Sequence, residues 1–220
     1  MTNDESYTPI LFVVDDDQQM RESLGALLEV VGYRTMSFST AGAFHRYYRA
    51  NMPGCVLLDI RMPRQTGLEL YEQLLREGKR LPAIFITAHA DVPMAVAAMK
   101  TGAVEFLEKP FAREILLERI RSALELDVRW RSQEAEFSAL SARIALLSNR
   151  ERETLHMILA GESNRAMAAK LLLTERAVEM RRSSLMRKLQ VHSVAALAEL
   201  TATHRILSEL RQSRDNQRIP

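Results

Sequence analysis

Hydrophobic positions along the first 126 residues switch between two periods. Short apolar runs fall at 10–14, around 34–38, and at 55–59, 83–87 and 103–107. Between them apolar residues recur every three or four positions, as Met20, Leu24, Leu27, Leu28 and Val31 do over 18–31. A weaker helical pattern, Val96, Met99 and Lys100, follows Pro93, a residue suited to a first helical turn. Gly32, Gly54, Gly67 and Gly102 punctuate the segments. Unbroken apolar runs suit strands buried on both faces. Their alternation with helices predicts an α/β fold: a doubly wound, five-stranded parallel sheet, right-handed crossovers and helices on both faces.

From Phe111 to Ala160 there is neither Gly nor Pro. Residues 111–126 read as the last helix of the α/β domain. Trp130, Phe137 and Ile144 then follow at spacings of seven, with Leu140 and Leu147 each three residues after Phe137 and Ile144. Two readings stay open: one long helix lying along a partner, or a solvated helical linker. Residues 148–210 read as an all-α four-helix domain. Ser148 and Glu151 form a capping box ahead of Leu155, Ile158 and Leu159. Gly161 ends that helix, and Ser163 or Asn164 caps a short second one over 165–172. Thr174 caps a third, 175–189, and Ser193 a fourth, 194–210. The polar tail 211–220 is expected to fray.

Charge divides the chain in the same way. Residues 1–127 hold 14 Lys/Arg against 18 Asp/Glu, and residues 128–220 hold 16 against 10. An acidic front and a basic back imply different partners, with nucleic acid the natural one for the basic half. The single Cys55 begins an apolar strand and excludes a disulfide framework. The acidic start, Met1 to Glu5, lacks a signal-peptide layout, and no apolar run approaches the roughly 20 residues of a membrane span. A cytoplasmic protein with no membrane contact is expected.

The chemistry gathers at the strand ends. Asp15, Asp16 and Asp17 close the first run, Asp59 the third, Thr87 the fourth and Lys109-Pro110 the fifth. In an open parallel sheet these C-terminal ends meet at one edge, where ligands bind. Several carboxylates packed together call for a cation, and Mg²⁺ takes one or two carboxylates plus a phosphate. Asp59, alone on its strand end, is placed to act as a nucleophile and form an acyl phosphate. Thr87 and Lys109 are placed to bind phosphate oxygens. The Lys109–Pro110 bond is a candidate for cis geometry.

Residues 9–126 resemble a response-regulator receiver domain, flavodoxin-like in fold. The resemblance rests on the acidic pair, the acceptor Asp, the Thr, the aromatic Phe106 and the Lys-Pro. It implies phosphorylation at Asp59 and Mg²⁺ or Mn²⁺ held by Asp15, Asp16, Asp59 and the backbone carbonyl of Arg61. It also implies a switch formed by Thr87 and Phe106, with Lys109 completing the site. The loop Met62-Pro63-Arg64-Gln65-Thr66-Gly67 departs from the family pattern at Arg64, where Gly or Asp is usual. An aspartate-nucleophile phosphatase would need an acid at position 61, where Arg61 stands, so an enzyme is not expected.

Helix 165–172, the turn Leu173-Thr174 and helix 175–189 have the layout of a helix-turn-helix, whose second helix enters the DNA major groove. Leu147 to Leu155, Gly161, Asn164 to Ala168, Leu171, Thr174, Val178-Glu179 and Met186 to Leu189 resemble a LuxR/FixJ-type output domain. Ala177 and Arg181 depart from the usual Thr and His. The arrangement, including Thr87 to Pro93, is most similar to the FixJ-like subgroup. The resemblance implies that Glu151 braces the fold. Thr174, Arg176, Glu179, Arg181, Arg182 and Lys188 are the candidate DNA contacts, with Arg182 and Lys188 on the backbone and Glu179 and Arg181 nearer the bases. The expected organisation is a receiver over 8–126, a helical linker over 127–143 and a DNA-binding domain over 144–210. Expected partners are a sensor histidine kinase, double-stranded promoter DNA, a second copy of the phosphorylated chain through 93–122, and RNA polymerase. A phosphorylation-independent interaction protein and an RNA-binding output are the competing readings.

Overall fold

The computed structural model of the chain describes residues 8–88 and 92–216; the acidic N-terminal stretch and His89 to Asp91 lie outside them. Five strands, β1 (Ile10–Val14), β2 (Arg34–Phe38), β3 (Gly54–Asp59), β4 (Ala83–Thr87) and β5 (Glu105–Glu108), form one sheet in the order β2-β1-β3-β4-β5. All neighbours are parallel. The chain steps from β1 to the β2 edge and then crosses back to β3. The strand order therefore reverses between β1 and β3, where such sheets open a crevice at their C-terminal ends.

Strand side chains alternate between two cores. Phe12, Val14, Leu58 and Phe85 face α2 (Ala41–Tyr47), α3 (Gly67–Arg76) and α4 (Val92–Lys100), meeting Phe44, Leu70, Leu74 and Ala98. Leu11, Val13, Leu57 and Ile84 face α1 (Gln18–Val30) and the start of α5 (Arg113–Ala145), meeting Leu24, Leu28, Leu116 and Ile120. Each such side chain stabilises the fold by about 1.5–3 kcal/mol relative to its exposed state. The fifth strand starts two residues later than its apolar run. Ala103 and Val104 belong to the turn, and the strand itself, Glu-Phe-Leu-Glu, is a mixed-polarity sheet edge.

Helix α5 runs unbroken for 33 residues, so the helical stretch expected over 127–143 is continuous with the helix before it. Residues up to Arg131 belong to the first compact unit, and Ser132–Ser213 form the second. The buried Asp127 carboxylate accepts the Gly54 N–H at 2.9 Å and Arg131 Nε at 2.8 Å. Arg131 in turn donates to the carbonyls of Ala50 and Met52. Gly54 sits at φ +142°, and a Cβ there would lie 1.9 Å from the Ile10 carbonyl oxygen. The close strand pairing that glycine permits is thus locked from below by the helix.

The second unit contains the end of α5, α6 (Asn149–Leu159), α7 (Asn164–Leu171), α8 (Glu175–Leu189) and α9 (Val194–Asn216). Its core joins Leu147, Leu155, Ile158, Met167, Val178, Leu185, Leu189 and Leu197. Ser148 and Glu151 form the capping box, and Ser163, not Asn164, caps α7. Thr174 caps α8 by accepting the Ala177 N–H at 3.2 Å. The heptad-spaced residues of α5 pack within this unit: Phe137 stacks on His204 at 5.1 Å, and Ser141 Oγ lies 2.9 Å from His204 Nε2. The segment from Arg211, expected to fray, is helical to Asn216. Arg211 lies 5.1 Å over the Phe137 ring and 3.4 Å from Glu134.

Replacing Asp127 by Ala would take away the carboxylate partner of Arg131 and leave the buried Gly54 N–H unsatisfied. The expected loss is about 3 kcal/mol in the first unit, read as a shift of its urea unfolding transition in the full chain.

Candidate functional site

Adjacent strand ends force two carboxylates together. Asp15, just past β1, is 3% exposed, and Asp59, ending β3, is 7% exposed. Lys109 Nζ, arriving from beyond β5, bridges them at 2.7 Å to Asp15 Oδ2 and 3.1 Å to Asp59 Oδ1. The Lys109 N–H donates to the Thr87 carbonyl at 2.8 Å, and the Lys109–Pro110 bond is cis. Burial pushes the Asp59 carboxyl above its usual range, Lys109 pulls it back, and the neighbouring Asp15 adds to the rise. Burial also opposes the Lys109 ammonium, but its bonds and charges with Asp15 and Asp59 outweigh that and hold its pKa above the ordinary lysine value.

The acidic triplet divides its labour. Asp17 caps α1, accepting the Met20 N–H at 3.3 Å, and donates its own N–H to Asp15 Oδ1 at 2.9 Å. Arg21 Nη1 donates to the Asp15 carbonyl at 2.7 Å. Asp16 is exposed and is not gathered with the other two: among the described residues no three His, Cys, Asp or Glu side chains converge as a metal cluster. The β3–α3 loop folds back on Asp59. The Gly67 N–H donates to the Ile60 carbonyl at 3.0 Å, and a Cβ on Gly67 would lie 2.2 Å from the Asp59 carbonyl oxygen. The Arg61 backbone N–H bonds the Asp59 carboxylate, and the Arg61 side chain is exposed. Arg64 sits at φ +72°, a left-handed conformation that Gly or Asp adopts more readily, so the usual residues suit this turn and Arg64 holds it at a backbone cost.

Thr87 is buried at the end of β4, and Phe106 is half-buried in β5. The β4–β5 register pairs Phe85 with Phe106 and Thr87 with Glu108. Alternation thus sets Thr87 and Phe106 on the face covered by α2 to α4, one register pair apart. A nucleophilic carboxylate, an ammonium and a buried hydroxyl at one sheet edge are the groups that accepting and holding a phosphoryl group requires.

On α8 the six candidate DNA contacts separate. Val178, Leu185 and Leu189 point into the core. The opposite face carries Arg176, Met180, Ser183 and Arg187, all exposed, with Glu179 beside them. Arg181, Arg182 and Lys188 flank the core and are only partly exposed. Arg182 Nη1 donates to Asn164 Oδ1 at 3.0 Å, and Lys188 Nζ to Glu151 Oε2 at 2.7 Å. Lys188, expected from sequence as a DNA-backbone contact, is thus also a brace between α6 and α8. Glu151 also accepts from Ser184 Oγ at 2.9 Å, and its pKa is pushed down to about 2 by the Lys188 ammonium against the opposing effect of burial. Sequence reasoning passed over Met180, Ser183 and Arg187. Their signal is the 176-180-183-187 stripe, complementary to the 178-185-189 core stripe.

Comparison with known proteins fits both halves. Residues 11–121 match the response regulator receiver domain, and 145–201 match the luxR family of bacterial regulatory proteins. The chain is a response regulator of the LuxR/FixJ family. This response regulator is 38% identical to the response regulator protein TodT of Pseudomonas putida over 192 residues, 87% of this chain and 85% of that one. It is 37% identical over 199 residues to the transcriptional regulatory protein FixJ of Bradyrhizobium diazoefficiens, 90% and 97% of the two chains. Among solved structures, response regulator StyR superposes with a TM-score of 0.83 at 39% identity, covering 89% of this chain and 98% of that one. Full-length FixJ from B. japonicum does so at 0.56 and 36%, covering 91% and 99%. Like its family, this response regulator joins a receiver domain to a LuxR-type DNA-binding domain, the composition of a two-component transcription regulator.

The Glu151 carboxylate of this response regulator adds stability above its unfolded pKa, about 4.5, and that stability is lost as pH falls toward about 2. Glu151→Gln should flatten this acid sensitivity in the second unit, as followed by circular dichroism between pH 5 and pH 2 (roughly the window the linkage relation sets).

Proposed function

We propose that Asp59 is the phosphoryl acceptor of this response regulator and that the exposed stripe of α8 is its DNA-reading surface. The observation that carries the first part is Lys109 Nζ bridging Asp15 and Asp59 at 2.7 and 3.1 Å. An Asp59 oxygen attacks the phosphorus of a phosphohistidine, the P–N bond breaks, and the imidazole leaves with the donor. The product gains negative charge in a buried place, where Lys109 neutralises it and the Thr87 hydroxyl donates to it. As Thr87 moves toward the phosphoryl group, Phe106 follows on the same face, and the α4–β5–α5 surface changes.

The donor set suits a hard divalent cation, because Mg²⁺ accepts one or two carboxylates and completes its shell with water and phosphate. Asp15 and Asp59, with the Arg61 carbonyl as a further oxygen, would hold Mg²⁺ or Mn²⁺, and the exposed Asp16 would reach the ion through one of its waters. When bound, the ion supplies positive charge to the phosphoryl oxygens. Regulation by self-association fits the exposed Val96, Met99 and Ile115 on α4 and α5. Glu105 and Arg119 already pair within the chain at 2.9 Å, which leaves Lys100, Arg113, Glu118 and Arg121 for contacts across a two-fold axis. Such a regulator acts in the cytoplasm, on promoter DNA and beside RNA polymerase.

Asp59→Asn should abolish Mg²⁺-dependent labelling by a small phosphoryl donor such as acetyl phosphate, read by phosphate-affinity electrophoresis. Undiminished labelling of that variant would remove the assignment. For DNA, Arg187→Ala should weaken all duplexes alike and flatten the salt slope of binding by about one. Lys188→Ala should act instead through the stability of the second unit, because it removes the cation bonded to the Glu151 carboxylate. Equal salt slopes for wild type and Arg187→Ala would exclude this face.

A further inference from the structure

The exposed face of α8 has an apolar centre. Met180 is 69% exposed, although it lies mid-helix in a unit with a well-formed core. One turn to either side stand Arg176 and Ser183, with Arg187 a turn beyond, all exposed. Neighbouring Glu179 is exposed as well. None of Arg176, Met180, Ser183 and Arg187 is among the residues that hold α8 to its neighbours; that work falls to Val178, Leu185 and Leu189, to Arg182 on Asn164, and to Ser184 and Lys188 on Glu151. A large apolar side chain held in water between two cations is suited to a charged surface with an apolar feature at its middle.

The DNA major groove is such a surface. Phosphates line its rims, and its floor carries one apolar group, the 5-methyl of thymine. Resting on the reading of α8 as the DNA-contacting helix, we infer that Met180 is a specificity-determining residue that packs against a thymine methyl. The flanking arginines take the phosphate rims, and the flexible thioether adapts to the methyl's position. Glu179, beside it, is an acceptor suited to a cytosine N4 amine and repels the acceptor-rich edge of guanine. The preferred site therefore contains a thymine whose methyl, not its hydrogen-bonding edge, is read.

Thymine and uracil differ in that methyl alone, which isolates the contact. Duplexes are first selected from a random pool by the full-length, acetyl-phosphate-treated protein. Each thymine of the selected duplex is then replaced singly by deoxyuridine, and affinity is measured at fixed salt. Wild type should lose about fourfold at no fewer than one thymine, the equivalent of burying one methyl. Met180→Ala and the similarly long, polar Met180→Gln should bind the thymine and uracil duplexes equally. Both variants should keep the circular dichroism of wild type, because the side chain is outside the core. Uracil replacement that leaves wild type unaffected, or that weakens the variants just as much, would overturn the inference while leaving DNA binding by α8 intact. Failure to select any duplex would overturn the reading of α8 as the reader, and this inference with it.

Discussion

Two carboxylates held beside one ammonium organise the receiver half. Parallel strands end on the same side, so the acids that close β1 and β3 have no way to avoid each other. Their mutual repulsion and their burial both disfavour charge, and Lys109 compensates both at once from the far edge of the sheet. The result is a buried carboxylate pair held together by one ammonium. Under the proposed phosphorylation of Asp59, the added negative charge would change what Lys109 must balance. The loop around Asp59 is correspondingly tight: Gly67 approaches its backbone closer than any side chain would allow, and the Arg61 N–H bonds its carboxylate.

The output half uses an ion pair for a different end. Glu151 caps its own helix and binds Ser184 and Lys188 on α8, so one carboxylate sets the angle between α6 and the candidate reading helix. With Lys188 and Arg182 committed inward, the charge offered to a partner is smaller than the count of basic residues on α8 implies. What remains outward is a narrow stripe of two arginines, a serine and a methionine, with Glu179 beside it. That arrangement favours a partner with charged edges and a discriminating centre over one that is merely anionic.

Helix α5 serves both halves, and its middle and its C-terminal part are held by unlike chemistry. Near its middle, Asp127 and Arg131 bind backbone groups of the loop before β3, a polar lock at the end of the sheet remote from Asp59. Further on, Phe137, Leu140 and Ile144 pack with the helices of the second unit. The absence of Gly and Pro over this stretch permits one helix, since neither a flexible nor a ring-constrained residue interrupts the hydrogen-bond ladder.

Much of this was legible in the residue pattern because it depends on local chemistry. Short unbroken apolar runs or apolar spacing of three and four decide strand or helix, and caps such as Ser148 with Glu151 act within three residues. The strand-end acids are legible because a parallel topology leaves their side of the sheet no freedom. Asp15, Asp59 and Lys109 are 94 and 50 positions from their partners, yet the order of strands alone brings them together. Partner choice was not legible where a side chain had two equally good options. Lys188 and Arg182 look like solvated cations in sequence, and only the packing of α6 and α7 against α8 gives them Glu151 and Asn164. Asp127 and Arg131 resemble linker residues until the carbonyls of Ala50 and Met52 are found beside them. Arg211 resembles a frayed end until Phe137 supplies a ring. In each case the deciding group lies tens of residues away, and a charge carries no periodicity to announce it.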